Sequence, residues 1–205
     1  MKCDRPICAQ TLGLLGAGWF LLALFVGEMQ LLRVLPPLAV PALIGALTLS
    51  ILASYFFLPS FRRGLDRLSV KTYLAIHLTR FVGIYFLVLT SRGELDPRFG
   101  IPAGWGDIVV ATSALILIWA PAPRRALLLW NSVGLVDILF VVSRAGTLRL
   151  ADPDALDALT RLPLSFLPTL VVPLIISTHF ILFYRLSRKV PKAVDAAVAS
   201  PALLV

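Results

Sequence analysis

Six runs dominated by apolar side chains, residues 11–32, 36–58, 72–90, 104–120, 126–143 and 164–185, are separated by short charged or proline-containing intervals. Each is close to the length at which a helix rising about 1.5 Å per residue crosses a hydrocarbon core of about 30 Å. Lipid offers no partner for backbone N–H and C=O groups, so a segment that spans it must be helical or belong to a closed barrel. Barrel strands would appear as stretches of about ten residues with alternating polarity, and these runs do not alternate. The expected fold is therefore all-α: a single-domain polytopic bundle of six transmembrane helices, with a flexible tail over residues 186–205. Composition points the same way. Of the 205 residues 59% are hydrophobic and 15% charged, against about 25% charged in a soluble domain. A water-soluble enzyme, a disordered chain and a disulfide scaffold are excluded.

Charge sets the expected orientation. Six crossings bring both termini to one side, where twelve basic residues fall: Lys2, Arg5, Arg62, Arg63, Arg67, Lys71, Arg124, Arg125, Arg185, Arg188, Lys189 and Lys192. The opposite side holds six, namely Arg33, Arg92, Arg98, Arg144, Arg149 and Arg161. The positive-inside rule then places both termini in the cytoplasm. The net charge of +8 reads as a topology signal whose counter-ions are anionic headgroups, and no nucleic-acid partner is expected. The first run follows Lys2 and Arg5 as a signal peptide would, but Gly27-Glu28-Met29-Gln30 offers no small-x-small cleavage site, so it reads as a retained helix. Cys3 and Cys8 lie in the N-terminal tail, without further ligands for a metal site.

Several local features carry structural expectations. Ala42, Ala46, Ser50 and Ser54 recur every four positions and suggest a close-packing stripe on the second span. Pro168 and Pro173 fall inside the last span, where each deprives a carbonyl one turn earlier of its donor; a kink beside a cavity, or one filled by a neighbouring helix, are the two readings. Residues 91–105 read as a folded loop. Asp152 followed by Pro153 reads as the start of a short surface helix. No internal repeat of the kind that builds many transporters is visible.

Ionisable residues inside a membrane are costly and therefore mark function. By depth along the spans, Arg80 lies near the midplane, Asp137 slightly outward, and Asp107 and Glu28 further outward. His77 and His179 sit at matching depth on the cytoplasmic half, each six positions from a flanking cation, Lys71 or Arg185. One reading takes Glu28, Asp107, Asp137, Arg80, Asn131 and the two histidines as a polar file for a proton, an ion or a small solute, with Arg80 paired to Asp137. A second takes His77 and His179 as axial ligands of a b-type haem, with Arg80 on a propionate; no metal other than haem iron is expected. A third is a non-catalytic helper subunit, working with a membrane partner or a second copy, whose interior polar residues only specify packing. No catalytic residue is assigned. Gly104-Trp105-Gly106-Asp107 spells the G-x-G-D of intramembrane aspartyl proteases, with Asp137 as the second carboxylate. The order of the two aspartates is reversed and the other protease motifs are missing, so tight helix packing at the glycines is the competing reading.

The series Arg80-Phe81-Val82-Gly83, Pro102 to Ile108, Trp130-Asn131 with Gly134-Leu135-Val136-Asp137, Leu162-Pro163, Pro168-Thr169, Pro173-Leu174 and His179 resembles uncharacterised bacterial multi-pass integral membrane proteins. The resemblance covers roughly the last two thirds of the chain. It implies a bacterial cytoplasmic membrane and carries no assigned activity.

Overall fold

The computed structural model describes residues 9–120 and 122–188; Lys2, Cys3, Arg5, Cys8 and residues 189–205 of the expected tail lie outside the described residues. Among those described there is no strand. The helices are α1 (Ala9–Glu28), α2 (Ala39–Phe57), α3 (Pro59–Asp66), α4 (Val70–Ser91), α5 (Pro97–Trp119), α6 (Arg124–Ala151) and α7 (Leu167–Ser187), with one 3-10 turn at Asp157–Thr160.

Five of them, α2 and α4 to α7, are long and apolar enough to cross a membrane, as in a multi-pass membrane protein. This corrects the expected six. The first apolar run does not stay helical to Leu32: α1 stops at Glu28, Gln30 turns into the left-handed region at φ 50°, and the apolar stretch Gly13–Glu28 is shorter than the other five. Other boundaries also move. Asp96 accepts a hydrogen bond from the Arg98 N–H at 2.7 Å, and Pro97 sits in the first turn, so α5 begins inside the stretch that reads as a loop. Helix α6 runs on to Ala151 instead of ending near Ser143. The surface helix expected from Pro153 does not form. Asp152 instead accepts from the Asp154 N–H at 3.1 Å, an Asx-type turn, and only Asp157–Thr160 is helical.

Sequence reads residues 59–66 as a charged connection, and the chain folds them into α3. Its Arg62 donates to the Tyr184 hydroxyl at 2.6 Å, while the Tyr55 hydroxyl donates to Asp66 at 2.7 Å. A clasp of α2, α3 and α7 closes one end of the bundle.

The crossings pack around α7, of whose apolar window 56% is buried, against 17% for α2. Phe86, Leu89, Phe99, Leu148 and Leu164 form an apolar layer towards the Asp152 end of the bundle, and Leu74, Val110, Ala114, Trp130 and Leu182 form another towards the Arg124 end. Buried polar side chains of α4 to α7 lie between them. The small-residue stripe on α2 is not its packing face: Ala42, Ala46 and Ser50 are exposed, whereas Ile44, Thr48 and Tyr55 are buried. The serines satisfy themselves on carbonyls one turn back, Ser50 on Ala46 and Ser54 on Ser50, both at 2.8 Å.

The prolines of α7 are answered by a neighbour. Pro173 cannot donate to the Thr169 carbonyl, and the Trp19 indole N–H of α1 donates to it at 2.9 Å. The helix opens into a π turn over Leu167–Val171, with the Val172 N–H on the Leu167 carbonyl. Of the two readings of the kink, side-chain filling holds at Thr169, and Pro168 lines a cavity.

Candidate functional site

Arg80 sits in a 3-10 stretch of α4, His77–Phe81. In that geometry side chains three apart eclipse, so His77 and Arg80 both point inward, at 0% and 1% exposure. A guanidinium in that position must be paired, and Arg80 is bonded on three sides. Its Nε donates to Asp107 at 2.7 Å, one terminal nitrogen donates to the Gly134 carbonyl at 3.1 Å, and the other pairs with Asp137. The two carboxylates differ in access: the Asp107 side chain is 6% exposed and the Asp137 side chain 19%.

Glycines make room for this arrangement. A Cβ on Gly106 would overlap the Asp137 carboxylate, and one on Gly83 would meet the Gly104 carbonyl and, at 2.8 Å, Asp107 Cβ. The G-x-G-D motif is thus explained by close approach of α4, α5 and α6. The arrangement differs from a protease dyad in that each carboxylate is bonded to the Arg80 guanidinium.

One turn from the triad lie the histidines. Both are fully buried, with ring centres 4.3 Å apart and planes inclined by 49°. Trp130 packs edge-on to His77 at 4.9 Å and against His179 at 5.7 Å. Asn131 donates through Nδ2 to the His179 carbonyl at 3.0 Å, which turns its Oδ1 to His179 Nδ1 at 2.9 Å. His179 therefore donates through Nδ1. The Thr178 hydroxyl is engaged on the Ile175 carbonyl at 2.8 Å and stands 3.3 Å from His77 Nε2. His77 Nδ1 and His179 Nε2 are left without partners. Gly134 joins the two groups: its carbonyl receives Arg80, and a Cβ there would lie 2.7 Å from His179 Cε1.

A bis-histidine haem does not fit these residues. Metal–imidazole bonds of about 2 Å on each face of a porphyrin separate the ligating nitrogens by about 4 Å and the ring centres by more. Here the ring centres themselves are 4.3 Å apart, and Trp130 packs against both rings. Among the described residues there is no group of three or more His, Cys, Asp or Glu able to hold a metal ion.

Of the residues singled out by sequence, the structure brings together Arg80, Asp107 and Asp137, and beside them His77, Asn131 and His179. Glu28 is not among them; it is exposed at the end of α1. Gly106 and Gly134 were missed as site residues, although Gly106 stands within the motif. Arg149, read as part of a loop, is a buried residue of α6 at 7% exposure, a position consistent with its place two helical turns beyond Val141.

Five apolar helices, three of which bring together a buried arginine–aspartate triad, define the class: a multi-pass membrane protein with a polar interior. The family model described as a domain of unknown function, DUF8737, matches residues 36–187, which take in α2 to α7, and the chain belongs to that family. No curated protein and no solved structure matches it.

Proposed function

We propose that the chain is a proton-translocating protein of the cell membrane, with Asp137, Arg80 and Asp107 as its proton-binding site. The observation that carries this is the charge count. Two carboxylates share one buried guanidinium, which leaves one negative charge in excess where uncompensated charge is most costly. A single proton balances it. Access supports movement of that proton, because Asp137 is the partly exposed member while Asp107 lines an internal cavity with Arg80. The histidine pair and Asn131, adjoining through Gly134, continue the polar path towards the Arg124 end.

In the orientation we propose, the Arg124 end faces the cytoplasm, as the distribution of basic residues requires. Helix α1 packs beside the start of α7. Gly27 faces Leu162 and Ser165, while Trp19 meets Thr169 and Phe20 stacks on Phe166, so α1 runs antiparallel to α7.

Reconstitution tests the reading. Proteoliposomes under a pH gradient are expected to take up protons, reported by a trapped pH-sensitive dye, faster than empty liposomes, and Asp137→Asn should abolish the difference. Flux that survives neutralising Asp137 would favour the helper subunit, in which the triad only locks the helices.

A further inference from the structure

The Arg124 end of the bundle gathers positive charge without the carboxylates to match it. Eight of its basic residues, from Arg62 to Arg188, are described, and among the described residues Asp66 is the one carboxylate at that end. Asp66 is already engaged: the Tyr55 hydroxyl donates to it at 2.7 Å, and Arg62 Nε stands 3.6 Å away. Bonds between elements bring the charges together. Arg185 donates to the Leu68 and Asp66 backbone carbonyls at 2.9 and 3.2 Å, and Arg124 donates to the Leu186 carbonyl at 2.7 Å.

Two of these cations converge on one atom. Arg62 of α3 donates to the Tyr184 hydroxyl at 2.6 Å, and Arg188, at the end of α7, donates to the same oxygen. Both guanidinium carbons also lie over the Tyr184 ring, 5.0 and 4.3 Å from its centre. A neutral phenol oxygen thus accepts from two like charges and leaves most of their N–H groups unused. Each guanidinium presents five donors in a planar fork, and a phosphate, with several charged oxygens, is the acceptor that suits two such forks at once.

The surface beside this pair is apolar. Phe56 meets the Tyr184 ring edge-on at 5.2 Å, and Phe56, Phe57 and Leu58 are 44%, 81% and 49% exposed at the end of α2. A free phosphate gains nothing from such a surface, whereas an acyl chain does. Tyr184 also stands in the last turn of a helix long and apolar enough to cross a membrane, the level at which basic side chains meet anionic headgroups.

We propose that Arg62 and Arg188 hold the phosphate of an anionic phospholipid across Tyr184, with its acyl chains against Phe56 and Phe57. The site lies outside the Arg80 triad and its test reads binding alone, so lipid binding and proton movement can fail separately.

The test is native mass spectrometry of the full chain released from a neutral detergent, with phosphatidylglycerol and phosphatidylcholine of identical chains offered at equal concentration. Phosphatidylglycerol adducts are expected to exceed phosphatidylcholine adducts by about tenfold or more, the scale of two basic side chains acting on an anionic lipid. Arg188→Gln should remove most of that preference, as should Arg62→Gln. Arg125→Gln, which takes the same charge from the same end, should leave it nearly intact. Phe56→Ala should reduce adducts of both lipids. Equal binding of the two lipids, a preference that survives Arg188→Gln, an equal loss in Arg125→Gln, adducts unchanged by Phe56→Ala, or displacement of phosphatidylglycerol by an equal concentration of inorganic phosphate would each overturn the proposal. If neither glutamine variant at Arg62 or Arg188 accumulates, the lipid comparison, Phe56→Ala and the phosphate competition still decide it.

Discussion

Replacing Arg80 by glutamine lowers the stability of the bundle by about 3–5 kcal/mol, the usual cost of removing one partner from a buried ion pair. The loss comes less from the missing bonds than from what remains. Asp107 and Asp137 would face each other within a layer bounded by apolar side chains, with no cation between them. Thermal unfolding in detergent should show a greatly lowered midpoint, or the variant should fail to accumulate. The triple variant Arg80→Gln, Asp107→Asn, Asp137→Asn tests the reason. It keeps nearly the same shape and removes every charge, so it should regain most of the lost stability while remaining inactive in proteoliposomes. If the triple variant is as unstable as Arg80→Gln alone, the damage is one of packing and the charge argument fails.

Gly106→Ala should be almost as harmful to activity, although it changes no charge. At an open helical position such a substitution stabilises by about 0.4–1 kcal/mol through loss of backbone freedom, and Gly45 of α2, with nothing within 4 Å of a built Cβ, is the internal control for that gain. At Gly106 the added methyl would overlap the Asp137 carboxylate. Overpacking of this kind costs about 1–3 kcal/mol, and the cheapest relief is for Asp137 to swing away from Arg80 towards its exposed side. The expected result is a lowered unfolding midpoint and lost proton uptake for Gly106→Ala, beside an unchanged or raised midpoint for Gly45→Ala. Full activity in Gly106→Ala would show that the contact between Asp137 and Arg80 is dispensable.

Depth counting along the apolar runs brings Arg80 to Asp137 and His77 to the level of His179, because helical rise is constant and each run carries its own ends. It misplaces Asp107, which reads as lying further outward. The cause is the start of α5: Asp96 and Pro97 begin the helix inside the expected loop, so Asp107 is already deep within it and shares the guanidinium. Glu28 fails for the opposite reason, since α1 ends on it before a left-handed residue and leaves it outside. The alternation of small residues on α2 misleads because spacing identifies a face without saying whether that face looks to a helix or to lipid. The proline readings fare better. A missing N–H can be counted from sequence, but its substitute, the Trp19 indole from a helix about 150 residues away along the chain, cannot. The haem reading rests on equal depth, a necessary condition that says nothing about ring separation.

The central claim is that two carboxylates on one guanidinium hold a single exchangeable proton. Infrared difference spectroscopy of the purified protein across pH reads it through the C=O stretch of a protonated carboxyl group. The account predicts one such band in the wild-type protein that rises and falls with pH, and its disappearance in both Asp107→Asn and Asp137→Asn, since either leaves one carboxylate balanced by Arg80. Absence of the band at every pH where the protein stays folded, or its persistence in both variants, would contradict the claim.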